Sequence, residues 1–409
     1  MTIKAIFLFL STYLLSYMPV SSYVEGVIDQ PKSFLPNETR SQHESSVSSL
    51  IFRGLFKYDI YGALVPDLAE TWEISEDGLT YKITIKDGNY WSNGKKITSD
   101  DLIYTAFKMP ALEGVATDKV DDRTVIFTLP NKYAPFLSLL TTGIMPTDAV
   151  EKGNKLMPVT NGDFTIARIE RTGDVIRKLT LYTKNENYKI RKIVFKYYSN
   201  EEELTTAAKL GEINAFLSDK THVISNYEDY KFPIQGIYYA VYFNLRDDQL
   251  DDLELRKKLE KVLPIDQLTY DRGITVQGPV SRSAYTDRDL KFNKYDETFK
   301  ESLGDIKLKI TVPDTEKHVE MAERIADLWQ TKLDIDVDVV KVDQKDFFTK
   351  VIEPRNFQIL LYGQEVGRDP DRYSNWYSTE KDPPGLNLSG FSQVRADRAL
   401  EEGRKELNN

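Results

Sequence analysis

Few side chains in this sequence could do covalent or metal chemistry. There is no cysteine, which removes thiolate nucleophiles, thiolate zinc sites and disulfides together. The only histidines are His43, His222 and His318, far apart and in polar surroundings, so each reads as an ordinary surface histidine. Gly88 to Lys95 resembles a phosphate loop, but five residues separate its glycines and Lys96 stands where Ser or Thr is needed. Neither G-x-S-x-G nor H-E-x-x-H occurs. Asp334, Asp336 and Asp338 alternate with Ile335 and Val337, which describes the solvated face of a strand better than a calcium loop. A hydrolase working with a carboxylate pair stays open, because 64 Asp and Glu offer many pairs.

Composition points the same way. The formal net charge is −10 with no basic block, so no nucleic-acid footprint is expected. At 409 residues, with 41% of them apolar, two or three domains can bury a core. Neither a cofactor nor a metal is expected.

The elements that would position a site follow from periodicity. Met1 to Ser22 reads as a signal peptide or an uncleaved N-terminal anchor: Lys4 precedes an apolar run, and Val20-Ser21-Ser22 offers cleavage after Ser22. Thr80 to Lys86 alternates between Asp-Gly turns, predicting a hairpin strand with Tyr81, Ile83 and Ile85 inward. Thr98 to Asp101 caps a helix expected to turn Leu102, Ile103, Ala106 and Phe107 inward, and Ala134 to Leu140 reads as a short helix. Trp72 and Trp91 are expected in the core. Glu201 to Leu210 is helical and ends at Gly211. Ile237 to Phe243 is nearly continuously apolar, as for a strand buried on both faces. A strand at Ile306 to Val312 precedes a helix capped by Asp314 or Thr315, with Ala322, Ile325, Ala326, Trp329 and Leu333 inward. Strands at Ile335 to Val339 and at Phe357 to Tyr362, with a short helix between, complete a βαβαβ unit and an open α/β sheet.

From Gly62 to Leu102 a run of residues carries a resemblance. Gly62, Pro66-Asp67-Leu68-Ala69, Trp72, Asp77-Gly78 and Tyr81, then Asp87-Gly88, Trp91-Ser92, Gly94 and Asp100-Asp101-Leu102, keep the order and spacing of family 5 extracellular solute-binding proteins. These are the oligopeptide- and dipeptide-binding components of ABC importers. Asp122 to Leu129, Asn185 to Tyr188, Leu210 to Ala215, Asn244-Leu245, Ile265-Asp266, Asp369-Pro370-Asp371, Trp376 and Asn387 to Gly390 recur in the family's order, so the resemblance covers about residues 24–409. The Gly-Pro usual after Gly162 is missing, the span from Phe107 to Lys119 is short, and relatives continue beyond Asn409, so a truncated or reduced chain is expected.

The resemblance implies an α/β fold of two-lobe, type II periplasmic-binding-protein (clamshell) architecture with a small inserted α+β domain. It places lobe I at 23–53 and 145–234, the inserted domain at 54–144 and lobe II at 235–409. It implies a binding protein without catalysis that captures short peptides between two closing lobes and delivers them to ABC transporter permease subunits. The protein would be an exported monomer, periplasmic or at the cell surface, touching membrane only through its N-terminal segment. The same scaffold binding an oligosaccharide or a nickel chelate is the alternative.

Dipeptide-type relatives hold the ligand's ammonium with an acid three residues before the Asp of Asp-Pro. Here Val366 occupies that place, and Glu365 is either the substitute anchor or a solvated strand residue. Asp369 belongs to the same segment and reads as a turn cap before Pro370. Tyr362, Tyr373 and Trp376 are candidate pocket walls, with core packing the alternative for Trp376. Asn161 and Gly162 are candidates for backbone contact with a ligand. Arg355 and Arg368 are nearby cations without an assigned role.

Overall fold

Parallel pairing between distant segments organises the first of two units in this computed structural model. The structure describes residues 21–147, 154–218, 222–232, 236–270, 272–276, 278, 295–367 and 369–407. The apolar run of the expected targeting segment and Arg368 lie outside the described residues. No helix among the described residues is long and apolar enough to cross a membrane. Unit 1 comprises residues up to Tyr58, Leu64–Asn131 and Phe136–Tyr230; unit 2 comprises Asp59–Ala63, Lys132–Pro135 and the chain from Lys231 onward.

In unit 1, β1 (Ser22–Val27) is followed by the helix Gln42–Ile51, the hairpin β2 (Phe56–Tyr58) and β3 (Leu64–Pro66), then β4 (Ala69–Ile74) and β5 (Thr80–Ile85). After the helix Ser99–Lys108 come β6 (Ala116–Lys119), β7 (Thr124–Thr128), β8 (Thr165–Thr172), β9 (Val175–Tyr182), β10 (Lys192–Tyr197), the helix Glu201–Lys209 and β11 (Ala215–Phe216). One sheet has the order β11-β1-β10-β9-β8 and a second the order β4-β5-β7-β6. Strand β1 runs parallel to both neighbours, and the second sheet is antiparallel throughout.

The alternation in β5 predicts its burial correctly: Tyr81, Ile83 and Ile85 are all in the core. Trp91 is buried too, its indole N–H donating to Asp101 at 3.0 Å. Trp72 departs from expectation. It is 40% exposed on the edge strand β4 and packs edge-on to Phe56 with centroids 5.2 Å apart. Phe107 is 81% exposed, because the inward stripe from Leu102 continues through Thr105 and Ala106, leaving Phe107 past its edge. The expected helix at Ala134 to Leu140 shrinks to Phe136–Leu139.

In unit 2, β12 (Ile237–Phe243), the helices Leu253–Lys261 and Ile265–Thr269, β13 (Lys307–Pro313), the helix Glu316–Leu333, β14 (Asp336–Val342) and β15 (Ile359–Glu365) follow in order. The sheet order is β12-β15-β13-β14, with β13 parallel to β14 and β15 and β12 antiparallel to β15. Thr315 caps the Glu316–Leu333 helix by accepting from the His318 N–H, and the five residues expected inward are its buried set. They pack with Leu308, Ile310, Val312, Ile359 and Leu361 on one face of the sheet. Phe347, Val351 and Ile352 cover Leu360 and Tyr242 on the other. The βαβαβ reading holds, and Asp336 and Asp338 are exposed on β14 as expected. Strand β12 corrects one expectation: it is the edge strand, and of its seven residues only Tyr242 is buried.

Candidate functional site

Open α/β sheets bind ligands outside the carboxyl ends of their strands. In unit 2 that edge is formed by the ends of β13, β14 and β15, and the antiparallel pairing of β12 sets Ile237 opposite Glu365 there. Tyr239 stands on the same strand, 53% exposed, across from Gly363. A Cβ on Gly363 would meet the Tyr239 ring at 2.6 Å, so the missing side chain is what lets the ring lie over the neighbouring strand. The Tyr239 hydroxyl is 2.5 Å from Nε2 of His318, and Nδ1 of that ring is 2.7 Å from the Thr315 hydroxyl. Burial lowers the His318 pKa.

All three histidines depart from the surface reading, being half-buried and partnered. His43 packs edge-on against Phe195 and Tyr197 and is bonded to the Tyr197 hydroxyl, while His222 pairs with Glu201 at 2.9 Å.

The sequence candidates near β15 gather in unit 2. Glu365 ends the strand with an exposed side chain, and Val366 is buried, as the strand alternation requires. Tyr362 is half-buried and stacked on Phe347 at 5.5 Å. Beyond the strand, Oδ1 of Asp369 accepts the Asp371 N–H at 2.9 Å, the turn cap expected of it. Burial raises the Asp369 pKa, an effect that this N–H opposes. Asp371 in turn accepts the Tyr373 N–H at 3.0 Å and starts the single-turn helix Tyr373–Trp376. Tyr373 stacks on Tyr377 with centroids 4.0 Å apart, and Trp376 meets Phe391 edge-on at 6.2 Å.

Buried polar groups fix this segment. The buried Arg372 donates to the carbonyls of Asp369 (2.6 Å), Asp371 (2.8 Å) and Gly367 (3.3 Å), and burial lowers its pKa. Gln364, also buried, accepts from the Tyr242 hydroxyl at 2.9 Å and donates to the Leu386 carbonyl at 2.8 Å. Asn387 is fully buried and donates to the carbonyls of Trp376, Tyr377 and Phe391. Arg355 donates to the backbone carbonyls of Ile352, Lys381 and Gly385, so its guanidinium staples a loop.

Asn161 and Gly162 belong to unit 1. Both of their N–H groups donate to the Ile51 carbonyl, at 3.2 and 2.8 Å, and the Asn161 side chain accepts the Arg53 N–H at 2.9 Å. A Cβ on Gly162 would lie 2.4 Å from the Ile51 carbonyl carbon. The pair therefore closes the end of the Gln42–Ile51 helix. Sequence reasoning gave Tyr239, Gln364 and Arg372 no site role and read His318 as a surface histidine; the partners of Tyr239 and Gln364 lie 79 and 122 residues away, outside any local pattern.

Residues 63–384 match the family described as bacterial extracellular solute-binding proteins, family 5 Middle. The chain is 22% identical to the oligopeptide-binding protein OppA of Bacillus subtilis over 93% of this chain and 81% of that protein. With relatives from Haemophilus influenzae and Pseudomonas aeruginosa the alignment spans about half of the relative's length, 48% and 52%. Among solved structures, NikZ of Campylobacter jejuni in complex with Ni(L-His) is similar at a TM-score of 0.69 and 22% identity, covering 96% of this chain and 88% of that one. AppA of Bacillus subtilis in complex with a nonapeptide is similar at 0.65 and 19%, covering 95% and 88%. These likenesses establish the two-lobe α/β fold of periplasmic binding proteins.

Proposed function

Because this chain belongs to the bacterial extracellular solute-binding proteins of family 5, we propose that it captures short peptides outside the cytoplasm and delivers them to an ABC transporter permease, without catalysis. The observation that carries this reading is the outer position of β12, which among the described residues pairs only with β15 and begins at that strand's carboxyl end. An extended peptide can add its backbone to such an edge, and pockets for alternate side chains then tolerate many sequences. The names of OppA, a di/tripeptide-binding protein and the AppA nonapeptide complex support the same ligand class.

In this reading Glu365 holds the peptide ammonium and Asp369 adds negative potential. Tyr362, Tyr373 and Trp376 wall the face that Phe347 covers, and Tyr239 and His318 stand on the helix-covered face, while Asn161 and Gly162 act only by closing the Gln42–Ile51 helix. A carboxylate-pair hydrolase is less well supported. The nearest acids, Asp369 and Asp371, have oxygens taken by the Asp371 and Tyr373 N–H groups and by Arg404 Nε.

In the same reading lobe I is formed by 23–53 and 145–234, the inserted domain by 54–144 and lobe II by 235–409. The five-stranded sheet draws on 22–27 and 165–216, and the four-stranded sheet lies within 69–128. Limited proteolysis should release a fragment bounded near 54 and 144; cutting mainly inside 69–128 would refute that boundary. The protein is taken to be an exported monomer, which sedimentation of the secreted form would test.

The functional test is thermal. Ligand that binds only the folded state raises the melting temperature. An equimolar mixture of alanine peptides of two to five residues should raise it, with nickel–histidine and maltooligosaccharides as parallel arms. A rise confined to either of those arms would overturn the peptide reading in favour of that solute.

A further inference from the structure

The helix Val394–Lys405 fully buries none of its residues, and a series of polar links attaches it to the rest of unit 2. Asp397 accepts from the Ser378 N–H at 2.9 Å and from the Ser378 hydroxyl at 2.6 Å. Glu401 accepts from the Tyr377 hydroxyl. Arg404 makes the most links. Its Nε donates to Oδ2 of Asp371 at 2.9 Å, and its guanidinium lies 4.0 Å from the Tyr373 ring centroid and 5.1 Å from that of Tyr133. Its backbone carbonyl, one of the four a helix leaves without an internal partner, accepts the Ala134 N–H at 2.6 Å.

These links converge on the proposed ligand wall. The Asp371 carboxylate that Arg404 holds by one oxygen uses the other to accept the Tyr373 N–H. One side chain thus fixes both the turn that starts the Tyr373–Trp376 helix and the face of an aromatic ring on that helix. A planar guanidinium suits both tasks, since it can donate in its plane while stacking on a ring. Burial, with the Asp371 charge next in importance, pushes Tyr133 up to about 12, consistent with a packed and electrically tight cluster.

We propose that Arg404 is the positioning residue of the Asp369–Trp376 segment, setting the geometry in which that segment meets a peptide. The proposal rests on the reading that this segment lines the ligand site. With side chains 31% and 14% exposed, the Arg404–Asp371 pair should matter little to global stability, because partly exposed ion pairs contribute little. Its effect should be local.

The test compares Arg404→Gln and Arg404→Lys with wild type in the full chain. Amide exchange across 369–378 should quicken about tenfold in Arg404→Gln while other segments keep wild-type rates. Affinity for the alanine-peptide mixture should fall about tenfold with the melting temperature moved by no more than about 2 °C. Arg404→Lys, which keeps the charge, should recover part of both. Asp371→Asn with Arg404→Gln should weaken binding no more than Arg404→Gln alone, since the two act through one contact.

Wild-type exchange across 369–378 in Arg404→Gln would overturn the proposal. So would faster exchange spread evenly over the chain with a large fall in melting temperature. If Tyr373→Ala and Trp376→Ala also leave peptide affinity unchanged, the ligand-site reading fails instead, and the exchange measurement still decides whether Arg404 positions the segment.

Discussion

The Tyr239 hydroxyl lies 2.5 Å from Nε2 of His318, tying the edge strand β12 to the first turn of the helix that follows β13. The two residues are 79 positions apart, and their bond closes one side of the carboxyl edge of the unit 2 sheet. Thr315 holds the other ring nitrogen and also caps that helix. The ring is thereby fixed in orientation on the side of β12 that faces β15.

Removing only that hydroxyl isolates the bond. Tyr239→Phe should cost about 1 kcal/mol of stability, the usual net worth of one hydrogen bond. Peptide affinity should weaken about fivefold as the His318 ring loses its restraint. Calorimetric titration with the alanine peptides and a denaturant melt would measure both, and unchanged affinity would remove this pair from the site.

His43 makes stability depend on pH. Burial lowers its folded pKa to about 4 from 6.5, against the pull of Asp29 and Glu44. As pH falls, the unfolded chain therefore takes up the proton first. The contribution of His43 is complete above about 6.5 and is lost as pH falls from 6.5 towards 4. The loss over that window is about 3 kcal/mol for this one group. Urea melts should show His43→Phe losing less stability over the window than wild type; parallel curves would refute the assignment.

Glu44 organises a loop with one side chain. Its oxygens accept the N–H groups of Lys32 (2.6 Å), Ser33 (3.3 Å), Arg40 (2.6 Å) and Ser41 (3.3 Å). Burial works to raise its pKa, but those four donors outweigh it and the net shift is downward. Glu44→Ala should destabilise unit 1 by about 3 kcal/mol, since it orphans several donors at once. A change below about 0.5 kcal/mol would contradict this.

Gly162 and Asn161 should behave as structural residues. Gly162→Ala forces a Cβ against the Ile51 backbone and should cost about 3 kcal/mol. Asn161→Ala should cost about 2 kcal/mol by unpairing the Arg53 N–H. Affinity per folded molecule should be unchanged in both; a selective loss of affinity would return them to the ligand site.

Much of unit 2 was legible because its signals are local. Thr315 and the five inward residues from Ala322 to Leu333 lie on one helix, where spacing alone separates core from surface. Strand β12 misled because an apolar run states composition, not the number of neighbouring strands, and its Ile237 and Tyr239 stay 43% and 53% exposed. Within the candidate site, the Asp369 cap was visible as a turn motif. Arg404 was not, because its partner Asp371 lies 33 residues away and a lone arginine announces no partner. Trp72 shows the same limit: its motif position was recognised, but an edge strand left the ring half outside.

On this account a short peptide pairs with the outer side of β12 where that strand begins at the carboxyl end of the unit 2 sheet. Photo-crosslinking tests it most directly, using an alanine tetrapeptide carrying one benzoylphenylalanine, irradiated with the full chain and mapped by mass spectrometry. Labels should fall on 237–239, 315–318 and 365–376, and excess unlabelled peptide should compete them away. Competable labelling confined to other segments, or none at all, would contradict the account.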